Sequence, residues 1–191
     1  MGAKKLTYIE EIMKFEPQNS QEENDKRVIL DYINQFPTTI LTRENEFAHI
    51  TSSGFIMNSD LTKVLMVFHN IYNTWAWTGG HADGDGNLLN VAKKEALEET
   101  GITSVKPLTE KIISLDILPV NGHFKHGRYV STHLHLSIAY VLLADESEPL
   151  HIKEDENSGV AWIDVEKLSE YCKEEHILPI YEKIIGRARN L

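Results

Sequence analysis

The chain has 191 residues, 41% hydrophobic and 25% charged, which suits a single globular domain with an added segment and excludes a disordered chain. A net charge of -10 sets the surface against duplex nucleic acid, so a phosphate compound must be met by local cations or a bound metal. The single cysteine, Cys172, excludes an internal disulfide and fits a reducing compartment, and no apolar run approaches membrane-spanning length.

The opening MGAKKLTYIE lacks the apolar core of a signal peptide, and a cytoplasmic location without membrane contact is expected. KKLTYIEEIMKF and DKRVILDYINQF place apolar residues at helical spacing around the turn-like EPQNS, and Pro37 closes the second helix. No linker follows them. Residues 1–44 are therefore expected as a helical extension packed on a body formed by residues 45–191.

From Phe47 the texture changes to β-type runs, FAHITSSGFIM and KVLMVFHN, with NSDLT as the turn between them. The aromatic TWAW and the glycine-rich TGGHADGDGN lead into a helix over roughly Leu88 to Thr100, with Asn87 as its N-cap. EKIISLDILPV and THLHLSIAYVLLAD read as further strands. VAWIDVEKLSEYC reads as a strand passing into a helix, and ILPIYEKIIGRAR as a closing helix. Strands joined directly and mixed with helices predict an α+β fold, a mixed sheet with helices packed on it.

The helix carries Glu95, Glu98 and Glu99 within one third of its circumference, with Leu89, Ala92 and Ala96 marking an apolar face. Like charges at these spacings repel by about 0.2–0.5 kcal/mol per pair. A hard divalent cation with a preference for oxygen ligands reverses that sign.

The frame from Gly79, GGHADGDGNLLNVAKKEALEETGI, resembles the Nudix box: Gly, five residues, Glu, seven residues, then Arg-Glu-apolar-any-Glu-Glu-any-Gly-apolar. Gly80, Glu95, Ala96, Glu98, Glu99, Gly101 and Ile102 fall on it in register. Gly86 stands where the first box glutamate would be, and Lys94 replaces the arginine, keeping its charge but losing its planar fork. The loop looks like that of a subgroup reading Gly-Gly-His-x-Asp-Gly-Asp. The resemblance extends from about Phe47 to Cys172 and leaves the N-terminal helices outside.

What the resemblance implies is an α/β/α sandwich with a mixed sheet, and Mg²⁺-dependent cleavage (Mn²⁺ as the substitute ion) of a pyrophosphate bond in a nucleoside diphosphate linked to another group. By carry-over, Glu95, Glu98, Glu99 and the Gly80 carbonyl are metal ligands, and a metal-activated water attacks phosphorus. Glu95 and Glu98 are catalytic candidates from the box, and Glu156, with Glu154 beside it, from a loop preceding a strand. His81, Asp83, Lys94, His133 and His135 are the candidates for contacting a small nucleotide or diphosphate substrate. His133 and His135 share one strand face and, with His81, raise a transition-metal reading beside the pocket-lining one. DGDGN is not an EF-hand loop, because Leu88 and Lys94 stand where Gly and Glu would be required. Lys125, His126 and Arg128 form a local basic cluster, and Tyr72, Trp75 and Trp77 are aromatic neighbours of the glycine pair. A homodimer is an expected assembly, since dimers are common in this fold. Gly86 and Lys94 keep a second reading open, a module that binds a nucleotide or a protein without turnover. The isoprenyl diphosphate isomerase branch of the fold would need a cysteine near the sheet, and Cys172 lies in a late helix.

Overall fold

In the computed structural model, which describes residues 7–125 and 127–191, Thr7 caps the first helix. Its side chain accepts from the Glu10 backbone while Glu10 answers to the Thr7 backbone, the reciprocal arrangement that starts α1 (Tyr8–Lys14). Residues 4–6 of the expected first helix lie outside the described residues. Asn19 caps α2 (Ser20–Gln35), accepting from the Glu22 N–H at 2.9 Å.

The chain continues through β1 (Ala48–Met57), β2 (Lys63–His69), β3 (Thr74–Ala76), β4 (Thr78–His81) and α3 (Leu88–Thr100). Next come β5 (Lys106–Pro107), β6 (Ser114–Val120), β7 (His123–Lys125), β8 (Arg128–Val130) and β9 (His133–Leu143). β10 (Asn157–Asp164), a short 3-10 turn, α4 (Leu168–Tyr171) and α5 (Leu178–Ala188) complete it.

The main sheet runs in the order β10-β2-β1-β9-β5, with β3 on β2, β4 on β1 and β6 on β9. β1 pairs in parallel with β9 from Ala48↔Leu134 to Met57↔Leu143, while the other pairs are antiparallel, so the sheet is mixed as the sequence predicts. Every residue of β1 is buried, because helices cover both faces of a central strand. On one face Phe55 and Met57 pack with Tyr181, Ile184 and Ala188 of α5. On the other, Ile50 packs with Leu88 and Ala92 of α3, and Ile56 with Ala96. Ile12 of α1 and Ile29 and Ile33 of α2 enter the same cluster as Ile50, so the N-terminal helices share the body's core.

A buried charge cluster adds to that docking. Glu22 of α2 is fully buried and accepts from both Arg187 terminal nitrogens at 2.7 and 2.5 Å, while Lys183 stands 2.9 Å away and also reaches Asp116 of β6 at 2.7 Å. Arg187 Nη1 donates also to the Ile113 carbonyl at 2.6 Å. Burial raises the Glu22 pKa, but the Arg187 and Lys183 donors and the Gln18 N–H outweigh it, and the net value lies below the ordinary one.

Two parts of the chain to which the sequence assigned no strand contain strands. Residues 78–81 of the glycine-rich stretch extend along β1, because Gly79 permits the close approach. A methyl group there would come within 2.6 Å of Ser53 Oγ. Residues 123–125 and 128–130 form a separate hairpin, with Phe124 and Tyr129 rings edge-on at 5.4 Å. Among the described residues, no helix is long and apolar enough to cross a membrane.

Candidate active site

The acidic helix is held at both ends. Asp85 accepts the Asn87 N–H at 2.8 Å, and the Asn87 side chain in turn accepts from Asn90 N at 3.4 Å, capping α3. At the other end Gly101 takes φ +74°, and its N–H bonds the Leu97 carbonyl. A side chain at residue 101 would also meet His151 Cβ at 2.6 Å, so glycine is required twice over.

Between these caps the three glutamates separate into two environments. At 100° per residue, Glu95 and Glu99 stack one turn apart and turn toward the sheet, whereas Glu98 is carried outward. Glu99 is 3% exposed and accepts the Gly79 N–H at 2.9 Å. Glu95 lies against Gly80, where an added methyl would approach its carboxyl carbon to 2.6 Å. The carboxylate oxygens of Glu95, Glu99 and Glu156 lie within 4.8 Å of one another. Glu98 stands at the rim, paired with Lys94 and Lys153, each at 3.5 Å.

Burial pushes the Glu99 carboxyl up to about 8. The Gly79 hydrogen bond opposes the shift, and the nearby Glu156 and Glu95 charges reinforce it. Burial likewise raises Glu95, against the pull of Lys94. Three carboxylate groups crowded in this way fit a hard divalent cation with oxygen ligands at about 2.0–2.6 Å. They suit Mg²⁺ or Mn²⁺ and offer no nitrogen or sulfur ligand.

Glu156 reaches the cluster on a loop that the sequence marked only by its acids. Asn157, fully buried, donates from Nδ2 to the Glu99 carbonyl at 2.9 Å and accepts the Lys153 N–H at 3.2 Å, tying the loop to the end of α3. Lys153 then pairs with Glu156 at 3.1 Å. Glu154 is exposed and outside the cluster. Lys153 and Asn157 escaped the sequence reading; the one available signal was their flanking of Glu156 just before a strand. Asn157→Leu is expected to lose about 1–3 kcal/mol in urea unfolding, because the buried Glu99 carbonyl is left without its donor.

The substrate-contact candidates fall in three places. Lys94 is exposed beside Glu95 and Glu98. Asp83 is engaged away from the acids by a two-point pair with Arg43, at 2.9 and 2.7 Å. His81, His133 and His135 converge, and His49 of β1 joins them, with one ring nitrogen from each within 4.8 Å of the others. His49 was not singled out in the sequence; its parallel register with His135 becomes visible only once β1 and β9 are paired. Burial lowers the pKa of His49 and of His135, the latter to about 2 with His81 and His49 adding to the effect, so both rings are neutral.

The remaining candidates have structural surroundings. Trp75 packs edge-on against Phe68 and Tyr171, and Trp77 against Phe55 and Tyr181. Tyr72 stacks on His69. The Lys125 side chain and His126 lie outside what is described, and Arg128 is exposed on β8. Cys172 is buried in the α5-side core, where burial raises its thiol and leaves it a poor nucleophile.

A family model described as the NUDIX domain matches residues 48–184. Among solved structures, the binary complex of a C. elegans Ap4A hydrolase aligns with a TM-score of 0.56 at 13% identity, covering 74% of this chain and 98% of that one. The E. coli dihydroneopterin triphosphate pyrophosphohydrolase aligns at 0.54 and 14% identity, covering 72% of this chain and 94% of that one. At such identities the likeness is one of fold.

Proposed function

This chain belongs to the NUDIX domain family, and on that premise we propose that it is an Mg²⁺-dependent hydrolase cleaving a pyrophosphate bond in a nucleoside diphosphate joined to another group. The observation that carries the reading is the convergence of Glu95, Glu99 and Glu156, with Glu99 pushed up to about 8 by burial and like charge. The names borne by two structures of this fold, a hydrolase and a pyrophosphohydrolase, support the reaction class. Substrate identity is left to the loops around the site, which a shared fold does not specify.

Glu95, Glu99 and Glu156 would hold the cation, with the Gly80 carbonyl beside Glu95 as a further oxygen. Bound there, Mg²⁺ supplies neutralisation of phosphate charge and a lowered pKa for the attacking water. The chain's own groups do the rest. Lys153 and Lys94 bring positive charge to the rim of a protein whose net charge is -10, where they can meet phosphate oxygens. Glu98, outside the three-carboxylate group yet tied to the same Lys153, is placed to accept the proton of the water. Asn157 holds Glu156 and Lys153 in position from behind.

The test separates binding from chemistry. With Mg²⁺ and a panel of sugar nucleotides, dinucleotides, coenzyme esters and oxidised nucleotides, the protein is expected to release a monophosphate from at least one member. Glu98→Gln should lower that turnover by about 10²–10⁴-fold while leaving Mg²⁺ affinity intact. Unchanged turnover in Glu98→Gln would remove it from the mechanism. The Lys94 pairs with Glu95 and Glu98 favour one second reading, a module in which lysine satisfies the acids and a nucleotide or protein partner is bound without cleavage. Ligand binding that raises Tm with no product at high protein concentration would select it.

A further inference from the structure

We propose that His49, His81, His133 and His135 form a second metal site, separate from the acid cluster, that takes a transition-metal ion of the Zn²⁺ class. The four rings come from three adjacent strands. His49 lies on β1, His81 at the end of β4, and His133 and His135 two residues apart on β9. In the sheet His49 is registered with His135, and Thr51 with His81, so the backbone pairing itself brings the side chains together.

The hydrogen bonds around the rings fix which nitrogens face inward. His49 Nδ1 is 2.9 Å from the Asn45 carbonyl and His133 Nδ1 is 2.8 Å from the Ser131 carbonyl. A carbonyl only accepts, so both Nδ1 atoms carry the proton and both Nε2 atoms present a lone pair. This is the outer support that a metal-binding histidine characteristically has. Among the described residues, His49 Nε2 is buried with no hydrogen-bond partner, in a side chain only 4% exposed. A buried acceptor of that kind is one that a bound cation would satisfy.

His133 Nε2 and His135 Nε2 are 3.2 Å apart. Two ligands of one tetrahedral ion with Zn–N bonds of about 2.0 Å stand about 3.3 Å apart, so this pair is already at ligand spacing. A set of imidazole ligands without a carboxylate selects zinc, cobalt, nickel or copper and offers little to magnesium. A closed set of four ligands is the pattern of a structural ion. An ion held there would clamp the end of β4, the strand that delivers Gly79 and Gly80 to Glu99 and Glu95.

The test reads the metal rather than the activity, so it stands apart from the hydrolase reading. Metal-free full-length protein is loaded with Zn²⁺ or Co²⁺ in buffer containing excess Mg²⁺ and passed through a desalting column. The expected result is stoichiometric retained Zn²⁺ and, for Co²⁺, the intense visible bands of tetrahedral coordination. Both should be lost in His49→Gln and in His81→Gln, the latter a milder change at a partly exposed ring, and kept in Glu99→Gln. No retained Zn²⁺ in the wild-type protein would overturn the site, as would a weak octahedral Co²⁺ spectrum. So would retention in folded histidine variants with loss in Glu99→Gln, which would place the ion on the acids.

Discussion

Glu22→Ala is expected to lose about 3–5 kcal/mol of stability, read as a lower urea midpoint, because it leaves the buried Arg187 without its carboxylate and Lys183 with Asp116 alone. The contact joins α2 to α5 across the molecule, so the loss should loosen the N-terminal helices first, visible as faster hydrogen exchange in residues 20–35. Glu22→Leu combined with Arg187→Met should recover much of the loss, since a buried pair replaced whole by apolar groups is near neutral. The pH dependence has a definite sign. The folded pKa of Glu22 is depressed, so its stabilisation is fully present above the ordinary value of 4.5 and is lost as pH falls through the folded value. The wild-type protein should therefore lose stability on the acid side more steeply than Glu22→Ala. A loss below about 1 kcal/mol, the range of an exposed pair, would contradict this account.

Glu99→Gln is expected to cost on the order of 10²–10³-fold in turnover, the scale of removing one preorganised electrostatic contact. It should do so without lowering Tm in the absence of cation. The amide oxygen can still accept the Gly79 N–H, and the variant sheds an acid that burial already pushes up to about 8. Lost activity with retained or raised stability is the behaviour of a group placed for function at the expense of the fold. Equal losses of both would mark Glu99 as structural.

The boundaries of the acidic helix were readable from the sequence, because Asn87 and Gly101 signal its ends and Gly80, Glu95, Glu98 and Glu99 sit in a known frame. The mixed sheet followed from strands joined directly. What could not be read was which glutamates converge. Glu98 sits on the same third of the helix as Glu95 and Glu99, yet the offset of one residue carries it to the rim, while Glu156 enters from a distant loop. That approach depends on Asn157 reaching the Glu99 carbonyl, a long-range contact with no local pattern. His49 was hidden for the same reason, since the parallel pairing of β1 with β9 joins segments far apart in the chain. Glu22 and Arg187 carry no local signal of their pairing in the sequence, and only tertiary packing makes them a buried pair.

The central claim, that Glu95, Glu99 and Glu156 together receive a divalent cation, is tested most directly by anomalous diffraction from crystals soaked in Mn²⁺. The account predicts a peak at about 2.0–2.6 Å from oxygens of those three carboxylates. Density showing the three side chains apart, with solvent between them and no peak, would contradict it.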